Sequence, residues 1–428
     1  MAELDQNMNG HSSEDEEIHD PSKSENLNRV IPDWIDAYMT YVDNSEPPET
    51  FNRWTAITLI AACLQRKCWL PWGRITFYPN LYVVLCSPPG KARKGTAMNV
   101  GLKILQEPAI KVKMAAEAIT REALIRELRN SRVTYLFSKG TDRRMVHSSL
   151  TIYSNELVVF LGNQNKNLLN DLTDWYDCRD KWVYRTKGQG TDDIDGVFVN
   201  ILGAATPTMI QSALPPEAIG GGLTSRIIFV FEFERGKTIA LPKESEEEKL
   251  LYPHLVRDLE IIKNMGGPFI VTEDFEDIYK EWYEKRRDQV VRALQDDDKF
   301  AGYIERRPAT LLKLSMIMSA SRTADMFITG NDFLRGLTYL EQVEKKMAYA
   351  LGGIGQRAIS PAIAQILYFI RRVEETDFAD LLRRFMNDVS RQELENILLE
   401  LAKTGAIQYI TNTGRIRYNQ AYDNGSHP

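Results

Sequence analysis

Leu81-Tyr-Val-Val-Leu-Cys86-Ser87-Pro-Pro89-Gly90-Lys91-Ala-Arg93-Lys94-Gly95-Thr96 is the stretch on which the reading of this chain turns. A run of strand-forming apolar residues ends in a Pro/Gly turn that carries three cations and a hydroxyl, and a helical pattern follows from Ala97 to about Gln106. Strand, basic glycine-bearing loop and helix, in that order, make an anion site. The amides of the turn and the positive end of the helix point at one place, and a lysine adds a point charge. The usual phosphate-loop spacing is glycine, four residues, then Gly-Lys-Ser/Thr; this loop departs from it. Counting from Ser87 puts Ala92 at the second glycine and Arg93 at the lysine. Counting from Lys94 puts Arg93 at the second glycine and Gly95 where the hydroxyl belongs, with Thr96 one further on. Both registers stay open, as does the plainer reading of a basic strand-to-helix turn.

A chain of 428 residues can form two or three domains with a sizeable core. Its net charge of −6 excludes a polycation that coats nucleic acid, so any such contact must use local basic patches. Cys63, Cys68, Cys86 and Cys178 lack metal-ligand spacing and sit in apolar or aromatic surroundings. They read as reduced, mostly buried thiols of a cytosolic protein. The five histidines are scattered, and a zinc site is not expected. There is no signal peptide and no apolar run of about 18 residues, so the expectation is a soluble cytoplasmic protein away from the membrane.

Outward from the loop, the pattern divides the chain. Residues 1–28 are polar and acidic and too poor in apolar side chains to order themselves. Residues 29–78 form a helical lead-in, with Ile31, Trp34, Ile35, Tyr38 and Tyr41 at helical spacing. Residues 79–271 alternate helix and strand. Helices are expected at 97–106, near 108–117 and from the N-cap Thr120. Strands are expected at 81–86, 133–137, 150–153, from Val197 and at 227–231. Such an order predicts an α/β fold with a mostly parallel sheet covered by helices on both faces, whose ligands bind at the carboxyl ends of the strands. Residues 272–358 read as a helical subdomain. The blocks Lys285-Arg-Arg287 and Arg306-Arg307 there are either phosphate contacts or solvated faces. Residues 359–422 read as a winged helix: three helices, the third opened by the capping box Ser390-Arg-Gln-Glu393, then a hairpin bearing Arg415 and Arg417. Its acidic third helix leaves DNA contact and protein docking both open. Residues 423–428 are a tail.

Hydrolysis of a nucleoside triphosphate needs amides around the phosphates, a cation, a Mg²⁺ ligand and a carboxylate that orients water. Glu156 follows an apolar strand and suits the last role; its neighbour Asn155 offers an oxygen without a charge. Asp171, Asp174 and Asp177 are candidates to supply the missing charge, or are surface charges of a helix. Arg226 follows the mobile Gly220-Gly-Gly222 and precedes a buried strand, which suits either a projecting arginine or one paired with a core carboxylate.

Several segments in order resemble a family of phage and prophage P-loop proteins, called replicative-helicase-like or of unknown function and often encoded beside primases. They are Ser154-Asn-Glu-Leu157-Val-Val-Phe-Leu-Gly162, Leu172-Thr-Asp-Trp-Tyr-Asp177-Cys and Ala218-Ile-Gly-Gly-Gly-Leu-Thr-Ser-Arg226-Ile-Ile-Phe-Val, together with the loop Arg93-Lys94-Gly95-Thr96 after Gly90. Glu305-Arg306-Arg307 followed by Leu311-Leu-Lys313-Leu is similar as well. The resemblance covers roughly residues 30–350 and implies a P-loop NTPase core related to ring-forming helicases. It implies that ATP and Mg²⁺ bind at Pro89, Gly90, Arg93, Lys94, Gly95 and Thr96, with Lys94 on phosphate and Thr96 near the metal, beside Asn155. It further implies Glu156 as catalytic carboxylate, Arg226 as an arginine finger, and Asn200 or Thr206 as the sensor. The family carries an acidic pair where Asn155-Glu156 stands. The expectation is an oligomeric helicase-like motor or loader, of which a hexameric ring is one form, acting on DNA, single-stranded DNA above all, with a primase or another replication protein as partner. The rival expectation is a nucleotide-gated initiator or scaffold.

Overall fold

The computed structural model describes residues 28–136, 144–162, 165–186, 190–215, 218, 220–286, 290, 292–295, 297–351, 361–386, 388–403, 405–410 and 414–419. The acidic tail up to residue 27 and the tail 423–428 lie outside the described residues, as does Phe137 at the end of an expected strand.

At the centre is a five-stranded sheet in the spatial order Arg132–Leu136, Arg144–Ser154, Val197–Ala205, Tyr82–Cys86, Ile227–Phe231. The first two strands are antiparallel and every other pairing is parallel. Every residue of the last three strands is buried. That is the expected reading of a parallel sheet covered on both faces, where strands are apolar runs rather than alternations. The chain leaves Tyr82–Cys86, passes over one position to build Arg144–Ser154, and returns to insert Val197–Ala205 between them. In the ladder Cys86 lies beside Ala205, and Ser154 beside Gly203. The carboxyl ends of these three strands therefore open on one edge, in adjacent positions.

The helix after the loop, Lys94–Leu105, starts earlier than its apolar pattern predicts. A Cβ on its Gly101 would stand 2.6 Å from Thr55 Cγ2 and 3.0 Å from Leu59 Cδ1. Glycine there lets the loop helix press directly on the buried helix Glu49–Leu64. The Tyr153 hydroxyl, from the neighbouring strand, donates to the Met98 carbonyl. The loop is thus held from both sides by core elements.

The helix expected near 108–117 does not form. Lys113 and Ala115 instead exchange backbone bonds of 2.9 Å each with Thr151, extending the sheet beyond the end of Arg132–Leu136. Pro108 and the pull of an unpaired strand edge outweigh local helix propensity. An unexpected antiparallel hairpin, Lys181–Thr186 with Gly190–Asp195, stands beside the sheet.

The lead-in helix Trp34–Tyr41, the sheet and the helices up to Leu351 share one continuous hydrophobic core. Residues 361–419 have a separate one. This C-terminal unit contains helices Pro361–Val373, Phe378–Phe385 and Arg391–Lys403 and strands Ile407–Ile410 and Arg415–Tyr418. The Ser390–Glu393 capping box forms as expected, and Gly405 follows the third helix at φ 74. A third strand, Glu375–Asp377, was not expected; it pairs with Arg415–Tyr418. Among the described residues no helix is long and apolar enough to cross a membrane. All four cysteines are free and buried.

Candidate functional site

Ser87 leaves the buried strand fully buried, and its hydroxyl accepts 2.7 Å from the Lys94 ammonium, whose second bond goes to the Ser87 carbonyl at 3.2 Å. Lys94 thus folds back across the mouth of its own loop. Arg93, in the left-handed conformation with φ 55, turns the other way and donates to Glu46 at 2.8 Å. The two basic side chains part here: Lys94 bonds back to Ser87 across the loop, and Arg93 turns away to Glu46. Gly90 is also left-handed, at φ 67, where only glycine is unstrained. Burial lowers the Lys94 pKa from the ordinary lysine value, while Cys86 and Glu156 act in the opposite direction. A partly desolvated cation beside helix-start amides is a strong attractor for phosphate.

The strand Arg144–Ser154 delivers Asn155 and Glu156 to the same edge. Glu156 is exposed and precedes the short helix Leu157–Leu161. The Asn155 amide donates 3.3 Å to Asn99 on the loop helix. Its Oδ1 lies 3.6 Å from where a Cβ on Gly95 would stand, and is buried with no hydrogen-bond partner among the described residues. Such an orphaned oxygen against the first turn of the loop helix fits a hard, oxygen-seeking cation such as Mg²⁺. The exposed Thr96 hydroxyl is on that turn. Among the described residues no group of three His, Cys, Asp or Glu could hold a metal, so Mg²⁺ would depend on phosphate oxygens as well.

Thr206 ends Val197–Ala205 on this edge, between the loop strand and the Glu156 strand, and caps the next helix through a 3.3 Å bond from Met209 N–H. Asn200 is elsewhere. It pairs with Thr151 in the ladder, is fully buried, and holds Leu81 N–H at 2.9 Å and the Thr58 carbonyl at 3.2 Å. It ties the far end of the sheet to a covering helix and does not reach the loop.

Arg226 is placed by the three-residue turn Thr224–Arg226 before its strand. Its side chain is 6% exposed, donates 2.7 Å to Asp177 and 2.9 Å to the Gly222 carbonyl, and lies over the Tyr176 ring. Within one chain it is a buried arginine paired with an exposed carboxylate rather than a projecting group. Asp171 and Asp174 likewise pair with Arg121 and Arg179, so each of the three aspartates is engaged by an arginine. Arg306 bonds Ser225 Oγ at 3.2 Å, and Arg307 is buried in a two-bond clasp with Glu344 at 2.8 and 3.0 Å. Arg307 is therefore not a phosphate contact. Residue 287 of the other basic block lies outside the described residues.

Sequence reasoning missed Ser87, Asn99 and Glu46. Ser87, the first hydroxyl past the strand, carried a usable signal; the other two are brought in by packing. It also missed Glu234, just past the sheet, which takes Arg372 at 3.1 Å and Arg384 at 3.6 Å from the C-terminal unit. Arg415 and Arg417, expected on a wing, share the single carboxylate of Glu375 at 2.8 Å each, which cancels one of their two charges. Comparison with known protein families finds no matching family model, and comparison with curated proteins finds no match.

Proposed function

We propose that the chain is a P-loop ATPase of the helicase-like kind. ATP is held by the loop Ser87–Thr96, and Glu156 orients the water that attacks its terminal phosphate. The observation that carries this reading is the delivery of the Lys94 loop and of Glu156 to the same carboxyl edge of the sheet, by the strands Tyr82–Cys86 and Arg144–Ser154. The loop amides and Lys94 hold the phosphates. Asn155 and Thr96 would hold Mg²⁺, which supplies charge neutralisation of the transferred phosphoryl group when bound. Glu156 draws the water proton as the water oxygen bonds phosphorus and the bridging oxygen departs with ADP. Thr206, between the two, is suited to sense the terminal phosphate.

In this reading the C-terminal unit is a winged helix used for docking rather than for gripping DNA, since Glu375 engages both wing arginines and cancels one of their two charges. The wider role is that of an oligomeric motor or loader on single-stranded DNA. A second reading, a nucleotide-gated scaffold with weak turnover, is favoured by uncharged Asn155 and by Arg226 being tied to Asp177 of its own chain. ATP turnover with and without single-stranded DNA, together with a sizing run with ATP, separates them. The motor predicts turnover stimulated by DNA in an oligomer. ATP-dependent assembly with no turnover supports the scaffold, and no response to ATP refutes both.

A further inference from the structure

A cleft of about 260 Å³ opens where the phosphate loop meets the C-terminal unit. Lys91 of the loop forms one side, Phe233 just past the sheet another, and Gln365, Tyr368, Phe369 and Asp388 of the C-terminal unit the rest. Phe233 and Tyr368 stack at 4.6 Å and 23°, and the Arg384 guanidinium lies 4.4 Å over the Phe369 ring. The volume is just under the range of about 300–1,000 Å³ for whole small-molecule sites, which leaves room for a ring system rather than an entire nucleotide.

We infer that this cleft takes the base of the bound nucleotide, and that the C-terminal unit thereby closes on a loaded loop. The inference rests on the nucleotide reading of the loop. Its first support is position: the cleft begins at Lys91, inside the phosphate loop itself. A nucleotide with its phosphates at Lys94 must send its base outward from that loop. The second support is chemistry. Tyr368 and Phe369 offer stacking on the ring faces that Phe233 and Arg384 do not cover. Among the described residues the side chains of Gln365, Asp388 and Lys91 have no hydrogen-bond or ion-pair partner. An amide supplies one donor group and one acceptor, and a carboxylate accepts. Together they match a base that carries an exocyclic amino group, adenine before uracil.

The third support is a chain of ion pairs from this cleft back to the loop. Arg372 and Arg384 hold Glu234; the next residue, Arg235, holds Glu46 at 3.0 Å; and Glu46 holds Arg93 at 2.8 Å. The C-terminal unit, the edge of the sheet and the phosphate loop are therefore one connected polar surface around the cleft. A base that enters it touches the core and the C-terminal unit at once.

The test compares binding of ATP, UTP and inorganic tripolyphosphate to the full chain, in the wild type, Tyr368→Ala and Gln365→Trp. Tyr368→Ala removes a stacking wall. Gln365→Trp, at a half-buried position, fills the cleft without emptying any core and covers the case in which Tyr368→Ala misfolds. The expected result is ATP tighter than UTP and tripolyphosphate in the wild type. In either folded variant ATP should weaken by roughly 5- to 150-fold, the range set by one base–aromatic stack, with tripolyphosphate unchanged. ATP and tripolyphosphate binding equally well to wild type, or ATP binding unaltered by Gln365→Trp, overturns the base slot and leaves the phosphate site standing. Failure of every ligand to bind wild type overturns the phosphate site, and the base slot with it.

Discussion

Replacing Lys94 with methionine should separate binding from stability. In the folded chain the ammonium is partly desolvated, at a cost that depresses its pKa, and recovers two bonds from Ser87. These two charge-assisted bonds and the burial that lowers the lysine pKa act in opposite directions on the stability of the free protein. Lys94→Met keeps the stem and removes both, so the free protein should unfold within about 1 kcal/mol of wild type. Binding is another matter. A unit charge about 4 Å from phosphate at an effective dielectric near 20 contributes about 4 kcal/mol, or roughly a thousandfold in affinity. At a nucleotide concentration of about 100 Kd, wild type gains about 2.7 kcal/mol of stability. The common core runs from Ile31 to Leu351, and at about 2.1 cal/mol/K per residue the gain moves its melting point by about 4 °C. Thermal unfolding with and without ATP and Mg²⁺ should show that shift in wild type and none in Lys94→Met. There is a pH counterpart. Phosphate needs the charged ammonium, whose pKa in the free protein lies below 10.5. ATP affinity should therefore fall with rising pH before free lysine would titrate, and wild type, not the variant, should take up protons on binding. A Lys94→Met protein that keeps the full 4 °C shift refutes the placement of phosphate at Lys94.

Three other perturbations test the surroundings. Asn155→Asp should tighten Mg²⁺ binding in the presence of ATP, since it adds charge to the orphaned oxygen beside Gly95; a metal titration showing no change would place the cation elsewhere. Arg307→Met leaves Glu344 buried and unpaired and should cost about 3–5 kcal/mol in denaturant unfolding, whereas Arg307→Met with Glu344→Leu should recover most of it. Burial pushes Lys67 down to about 8 from 10.5. Below the lower value the folded state bears a buried charge, and above the upper one neither state is charged. Wild-type stability measured against Lys67→Met should therefore rise by about 3 kcal/mol between those pH values; a flat difference would mean that Lys67 is solvated.

The central strands were legible because each is a short, wholly apolar run, as a buried parallel sheet requires. Glu156 and Thr206 were legible for a related reason: the residue after such a run lies on the carboxyl edge. The register of the loop was not legible, because Arg93 and Lys94 differ only in which way the left-handed turn at Arg93 sends them. Asn200 misled because its surroundings are those of any strand interior, and depth along a strand depends on register with Leu81 and Thr151. Arg226 met its carboxylate, Asp177, across 49 residues of sequence, a pairing that no local pattern encodes. The hairpin 181–195 did leave a trace in the alternation of Trp182 and Tyr184, whose rings stack at 6.2 Å.

The most direct test of the account is a single-turnover experiment with terminally labelled ATP and Mg²⁺ on wild type and Glu156→Gln. Glu156 is exposed, so the amide should leave the fold and the phosphate loop unchanged, and both proteins should bind ATP equally. Wild type should then release labelled phosphate and the variant should retain intact ATP, slowed by the roughly hundredfold or more expected when a positioned general base is lost. Equal phosphate release from both proteins would contradict the assignment of Glu156 and of the sheet edge it shares with Lys94.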